Sequence, residues 1–168
     1  MKEKTKRIAL AGMLTALAMI FSYIEAVIPF SVGIAGVKLG LANLVVLSGL
    51  YVLPARDVFT VSITRILLSS LLFGNLMALA YSLAGGVVSF FVMFFLVKHQ
   101  VLSPVGVSTA GGIAHNTAQI LVAYAVLQSA GIFFYLPVLL ISGILAGIVV
   151  GAVSRRLIPV WKNILKGR

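Results

Sequence analysis

A chain of 168 residues that is 61% apolar and only 10% charged, with a mean hydropathy of +1.18, has too little polar surface to cover a water-soluble core; soluble domains run near 45–50% apolar and about 25% charged. Lipid must therefore be part of its solvent. The formal net charge is +10, but the basic residues concentrate at the two termini, where membrane topology accounts for them without nucleic acid, and the absence of cysteine excludes disulfides and thiolate metal sites.

Six apolar segments follow in chain order. The first, about Ile8–Ile28, is preceded by Lys2, Lys4, Lys6 and Arg7. It is long, and no Ala-x-Ala-like site closes it, so it reads as a retained helix rather than a signal peptide. The second and third, about Leu39–Leu53 and Val58–Phe73, are short for a span of about 20 residues. The fourth, fifth and sixth run from about Met77 to Val97, Val105 to Leu127 and Tyr135 to Val153. Pro29, Pro54, Pro104 and Pro137 punctuate the boundaries. Arg56, then Lys98 and His99, lie in the second and fourth loops, and Arg155, Arg156, Lys162, Lys166 and Arg168 follow the last segment. The third and fifth loops carry no charge, and the first carries only Lys38. Alternating basic loops predict an all-α membrane protein of six transmembrane helices with both termini cytoplasmic, a single domain over residues 1–168.

At about 154–168, Leu157, Val160, Trp161, Ile164 and Leu165 repeat at helical spacing among Lys162, Lys166 and Arg168. This reads as a basic amphipathic tail on the anionic leaflet. Gly143, Gly147 and Gly151 form a double GxxxG run, a pattern that lets helix backbones approach closely; its partner is either another helix of the bundle or another chain. Ala9, Gly12 and Ala16 make a second small-residue stripe on the first helix, read either as ordinary bundle packing or as a docking surface.

The polar residues inside the apolar segments are few. An ionised side chain at the bilayer centre costs about 2.5–3.5 kcal/mol on insertion scales and normally faces a cavity. In the third segment Ser62, Arg65 and Ser69 share one helical face. In the fifth, Ser108, Gly112, His115 and Gln119 fall on a nearly straight stripe with Asn116 beside it. Asn43 lies early in the second segment, Asn75 just after the third, and Glu25 near the end of the first. The expected topology places most of these in the outer half of the membrane, around a pocket that opens outward. Arg and Lys hold phosphate and carboxylate best, so a small anionic molecule is the expected ligand. The expected binding set is Lys38, Asn43, Arg65, Ser69, Asn75, His115, Asn116 and Gln119. Structural roles stand beside it: an Arg65–Glu25 pair that joins two helices, a hydrogen-bonded core His115, and Asn75 as a helix cap.

Several chemistries are missing. There is no GxxxxGK[ST] phosphate loop, no nucleophile elbow and no HExxH. Glu3, Glu25 and Asp57 are the only acids, too few for a magnesium-diphosphate centre. An enzyme is not expected, and neither a cofactor nor a metal is expected on this chain.

The stretches Lys38-Leu-Gly-Leu-Ala-Asn-Leu44, Arg65-Ile-Leu-Leu-Ser-Ser-Leu-Leu-Phe-Gly-Asn75, Ser82-Leu-Ala-Gly-Gly86 and Ala114-His-Asn116 resemble the Gx transporter family, often labelled heptaprenyl diphosphate synthase component I. That family is similar to the substrate-binding (S) components of energy-coupling factor transporters. The resemblance implies six helices, an outward-facing site for a vitamin or precursor, and import powered by a transmembrane coupling protein with two cytoplasmic ATPases, which alone use ATP. It also implies docking through an Ala-xxx-Ala face on the first helix, matched here by Gly12-xxx-Ala16 with Ala9 a turn before. The expected function is an S component that captures a small anionic vitamin or an isoprenoid or cofactor precursor. The alternatives are a non-catalytic membrane subunit of isoprenoid or quinone biosynthesis and a stand-alone secondary transporter.

Overall fold

A computed structural model describes residues 2–27 and 40–166. Its elements are all helical: α1 (Lys2–Val27), α2 (Leu41–Leu50), α3 (Ala55–Phe73), α4 (Leu76–Lys98), α5 (Pro104–Leu127) and α6 (Leu136–Lys166), with a short 3₁₀ helix, Ala130–Tyr135, leading into α6. Local chemistry sets the boundaries. Pro54 precedes α3, whose first turn carries Asp57. Pro104 opens α5, where its missing N–H matters least, and the Ser103 side chain caps that helix by accepting from the Gly106 N–H. The Asn75 side chain accepts from the Ala78 N–H at 2.8 Å and starts α4. Gln128, with φ 49°, ends α5 in the left-handed region.

The helices close a ring in the order α1–α3–α4–α5–α6–α2. The tightest contact is between α5 and α6, and it is made by glycine. A Cβ on Gly147 would lie 2.6 Å from the Thr109 Cα, one on Gly151 2.5 Å from the Val105 Cα, and one on Gly112 2.5 Å from the Gly143 carbonyl oxygen. The GxxxG run of α6 therefore packs inside the bundle, against α5. Leu10, Leu14, Val45, Val46, Leu47, Val58, Val61, Phe90, Met93 and Val107 fill one half of the ring as an apolar core. The chain turns put that half beside the basic end of the molecule, where α1 and α5 begin, α2 and α4 end, and α3 starts. There Arg7 pairs with Asp57 at 3.0 Å.

The expected six transmembrane helices are corrected to three. Among the described residues, only Lys4–Val27 of α1, Leu76–Lys98 of α4, and the continuous Ala130–Ile164 stretch of the 3₁₀ helix and α6 combine the length and apolarity a span needs. The physical reasons are plain. The ten residues of α2 rise about 15 Å, half of a hydrocarbon core of about 30 Å. Helix α3 carries Arg56, Asp57 and Arg65, and the polar stripe of α5 dilutes its apolar run. The placement of both termini in the cytoplasm depended on an even number of crossings and falls with it. The chain remains a multi-pass helical membrane protein. Leu71, Leu76, Phe91, Phe95, Leu121, Ile141 and Leu145 point outward, as lipid contact requires.

The C-terminal segment is not a separate element. Helix α6 runs unbroken for 31 residues, about 46 Å, and carries Pro159 within it. Its inward stripe continues through Gly151, Ser154 and Ile158, all buried, to Trp161, which packs on the core. Arg155, Arg156 and Lys162 are exposed beside it.

The two glycine environments differ sharply. A Cβ on Gly147 meets backbone, whereas one on Gly12 meets nothing within 4 Å. Gly147→Ala should lower the melting temperature of the detergent-purified protein, a destabilisation of about 1–3 kcal/mol for overpacking. Gly12→Ala should leave it unchanged or raise it slightly.

Candidate functional site

At the end of the ring away from the apolar core, the helices part around a cavity of about 300 Å³. All six contribute to its wall. Helix α1 brings Ser22 and Glu25, and α2 brings Asn43 from its first turn. Helix α3 brings Arg65, Ser69, Ser70 and Phe73, and α4 brings Ser82. Helix α5 brings Ser108, His115, Asn116 and Gln119, while α6 offers only small or apolar residues, Gly143, Ala146, Gly147 and Val150.

The stripes read from the sequence thus meet in one space. Arg65 as a whole residue is half-buried, and its Nη2 donates to the Asn43 Oδ1 at 3.2 Å. Its Nε is buried with no hydrogen-bond partner among the described residues. A guanidinium has five N–H donors in a fixed fork, so most of its capacity stays available to the cavity. The Ser69 hydroxyl donates to the Ile66 carbonyl at 3.3 Å. The His115 ring lies flat against the α4 backbone: a Cβ on Gly85 would lie 2.7–2.8 Å from its Cε1, Nδ1 and Nε2 atoms. Gly85 is therefore glycine because the imidazole occupies the space a side chain would need. Asn116 lines the cavity, but its amide also donates to the Leu139 carbonyl of α6 at 2.5 Å, an oxygen that accepts from the Ser142 hydroxyl as well. It ties the two closely packed helices together.

One expected member stands elsewhere, and one is not described. The Asn75 side chain is the α4 cap and is absent from the cavity wall. Lys38 lies outside the described residues. The wall also contains groups that spacing alone did not single out. Ser22, Ser70 and Ser82 line it; Ser70 and Ser82 fall within stretches already notable, 65–75 and Ser82-Leu-Ala-Gly-Gly86, and Ser22 falls in neither.

The direct Arg65–Glu25 ion pair does not form. Arg7–Asp57 is the one ion pair among the described residues. Glu25 instead uses Oε1 to accept from the Leu41 backbone N–H at 2.9 Å, and so caps α2, whose own N-cap residue, Gly40, has no side chain to do it. The small-residue stripe of α1 faces outward: Ala9, Gly12 and Ala16 are all exposed, while Leu10, Leu14 and Ala18 point into the core. No three His, Asp or Glu side chains converge on a metal position among the described residues.

Fold and site together define a multi-pass helical membrane protein with a cation-bearing cavity between its helices. Residues 14–157 match the heptaprenyl diphosphate synthase component I family, and the chain belongs to it. No curated protein and no solved structure matches the chain.

Asn75 serves α4 rather than the cavity wall. Asn75→Ala should therefore destabilise the protein by about 0.5–2 kcal/mol, the usual loss for a helix cap, seen as a lower melting temperature. Affinity for anions should be unaltered in the folded fraction.

Proposed function

We propose that this chain is a non-catalytic membrane subunit that binds a small anionic precursor of isoprenoid or quinone chemistry in the cavity around Arg65. The observation that carries the reading is the state of that arginine. It sits in the wall of the cavity and, among the described residues, holds one neutral hydrogen bond and has no carboxylate in contact. Such a cation is an incomplete half of a charge-assisted bond, and phosphate or diphosphate completes it bidentately. Asn43, Ser69, His115 and Gln119 orient the rest of the molecule. The family description supports a place beside a prenyl diphosphate synthase. The scarcity of acids, three in the whole sequence, supports a binding rather than a chemical role, since no carboxylate cluster that could hold magnesium forms among the described residues.

Removing one partner of a buried charge-assisted hydrogen bond costs about 2–5 kcal/mol, or 30-fold or more in affinity. Arg65→Gln should therefore lose binding of inorganic diphosphate by at least that factor while the protein stays folded in detergent. Unchanged affinity in the folded variant would remove the anion site. Mass spectrometry of small molecules retained by the purified protein would name the natural ligand.

A second reading has one specific observation in its favour. The small-residue face of Ala9, Gly12 and Ala16 is exposed on a helix long and apolar enough to cross the membrane, and nothing approaches Gly12. A face that smooth suits close docking of another membrane helix. On this reading the chain is the substrate-binding component of an energy-coupling importer. It passes its ligand to a transmembrane coupling protein that two cytoplasmic ATPases drive. Gly12→Leu or Ala16→Leu should then abolish co-purification of the coupling protein and ATPases and stop uptake, with diphosphate binding to the isolated chain intact. Co-purification of a prenyl diphosphate synthase in place of ATPases selects the first reading.

A further inference from the structure

The cavity wall carries two opposite charges that the fold holds apart. Glu25 and Arg65 both line it and attract each other electrostatically, yet they stand outside ion-pair distance. Left to themselves in a low-dielectric interior, a carboxylate and a guanidinium gain most by direct contact. Here the first turn of α2 stands between them and engages each one. Its Leu41 N–H holds the Glu25 carboxylate at 2.9 Å, and two residues on its Asn43 side chain holds the Arg65 guanidinium at 3.2 Å. Each charge keeps spare capacity. Among the described residues Glu25 is held through Oε1 alone, and Arg65 Nε is buried without a partner. Asp57 is not available to either side, because it is taken by Arg7 at the other end of the bundle. The result is a fixed dipole across one small space.

We propose that the cavity takes a dipolar ligand, with an anionic group on Arg65 and a cationic or hydrogen-bond-donating group on Glu25. This rests on the reading of the cavity as an anion-binding site and narrows its ligand class. A purely anionic molecule meets the Glu25 carboxylate unscreened across 300 Å³. A molecule that also carries an ammonium or amidine-like donor satisfies both walls at once. Glu25 then serves twice, with one oxygen capping α2 and the other selecting the ligand.

The test uses two probes of nearly equal shape, O-phosphoethanolamine and propyl phosphate, which differ in an ammonium against a methyl group. Their binding to the purified full chain in detergent is measured by calorimetry, with inorganic phosphate as reference. The wild type should prefer phosphoethanolamine about tenfold or more, the range expected for a hydrogen bond to a charged group. Glu25→Gln keeps an acceptor for the Leu41 N–H and removes only the charge. It should erase the preference and leave phosphate affinity equal or improved. Equal binding of the two probes by the wild type overturns the dipolar ligand, as does a preference that survives Glu25→Gln. In either case, weaker phosphate binding in Arg65→Gln leaves the anion site standing. If the wild type binds none of the three probes, the anion site and the dipolar ligand both fall.

Discussion

Helices α5 and α6 meet backbone to backbone, and the rest of the molecule is arranged around that contact. In lipid no hydrophobic force pulls helices together, so close approach has to come from small residues and local hydrogen bonds. Gly112, Gly143, Gly147 and Gly151 supply the first, and the Asn116 amide on the Leu139 carbonyl supplies the second. The pair forms a thin, stiff wall. Gly112, Gly143 and Gly147 of this wall also border the cavity, and the polar groups of α2, α3 and α5 look into it from the other sides.

The second constraint is the shortage of negative charge. Three acids serve thirteen lysines and arginines. One of them, Asp57, is used at the basic end, and Glu25 is anchored to the start of α2. Arg65 is therefore left with an amide oxygen as its nearest described partner. A composition that looks merely cationic thus becomes a located, half-satisfied guanidinium once the helices are in place.

Much of this was legible in the residues. Proline and capping positions set the helix edges within a few residues, because those signals are local. The stripe of Ser108, Gly112, His115 and Gln119 was readable because one helical face has one period, and all four line the cavity. What the sequence could not settle depends on contacts between distant segments. Asn75 sits beside the Arg65 stretch but turns its side chain to its own helix, a choice decided by one N–H of Ala78. Glu25 and Arg65 looked like partners because their charges are opposite, and α2 intervenes. Charge alternation along the loops suggested six crossings, yet it reports only where turns meet water. The ten-residue α2 and the charged α3 are helices without being spans, and no loop charge distinguishes the two. Gly85 carried no signal until the ring of His115 was seen lying on it.

The unbroken run of α6 has a practical consequence for handling the protein. Its last turns look disposable in the sequence, a charged strip after the final apolar segment. In the structure Ser154 and Ile158 are sealed against neighbours and Trp161 rests on the core that also holds Leu10, Leu14 and Val58. A shortened gene that stops at Val153, where the last apolar segment of the sequence ends, would unroof that core. Affinity handles and fluorescent reporters belong beyond Ile164, whose own side chain is exposed.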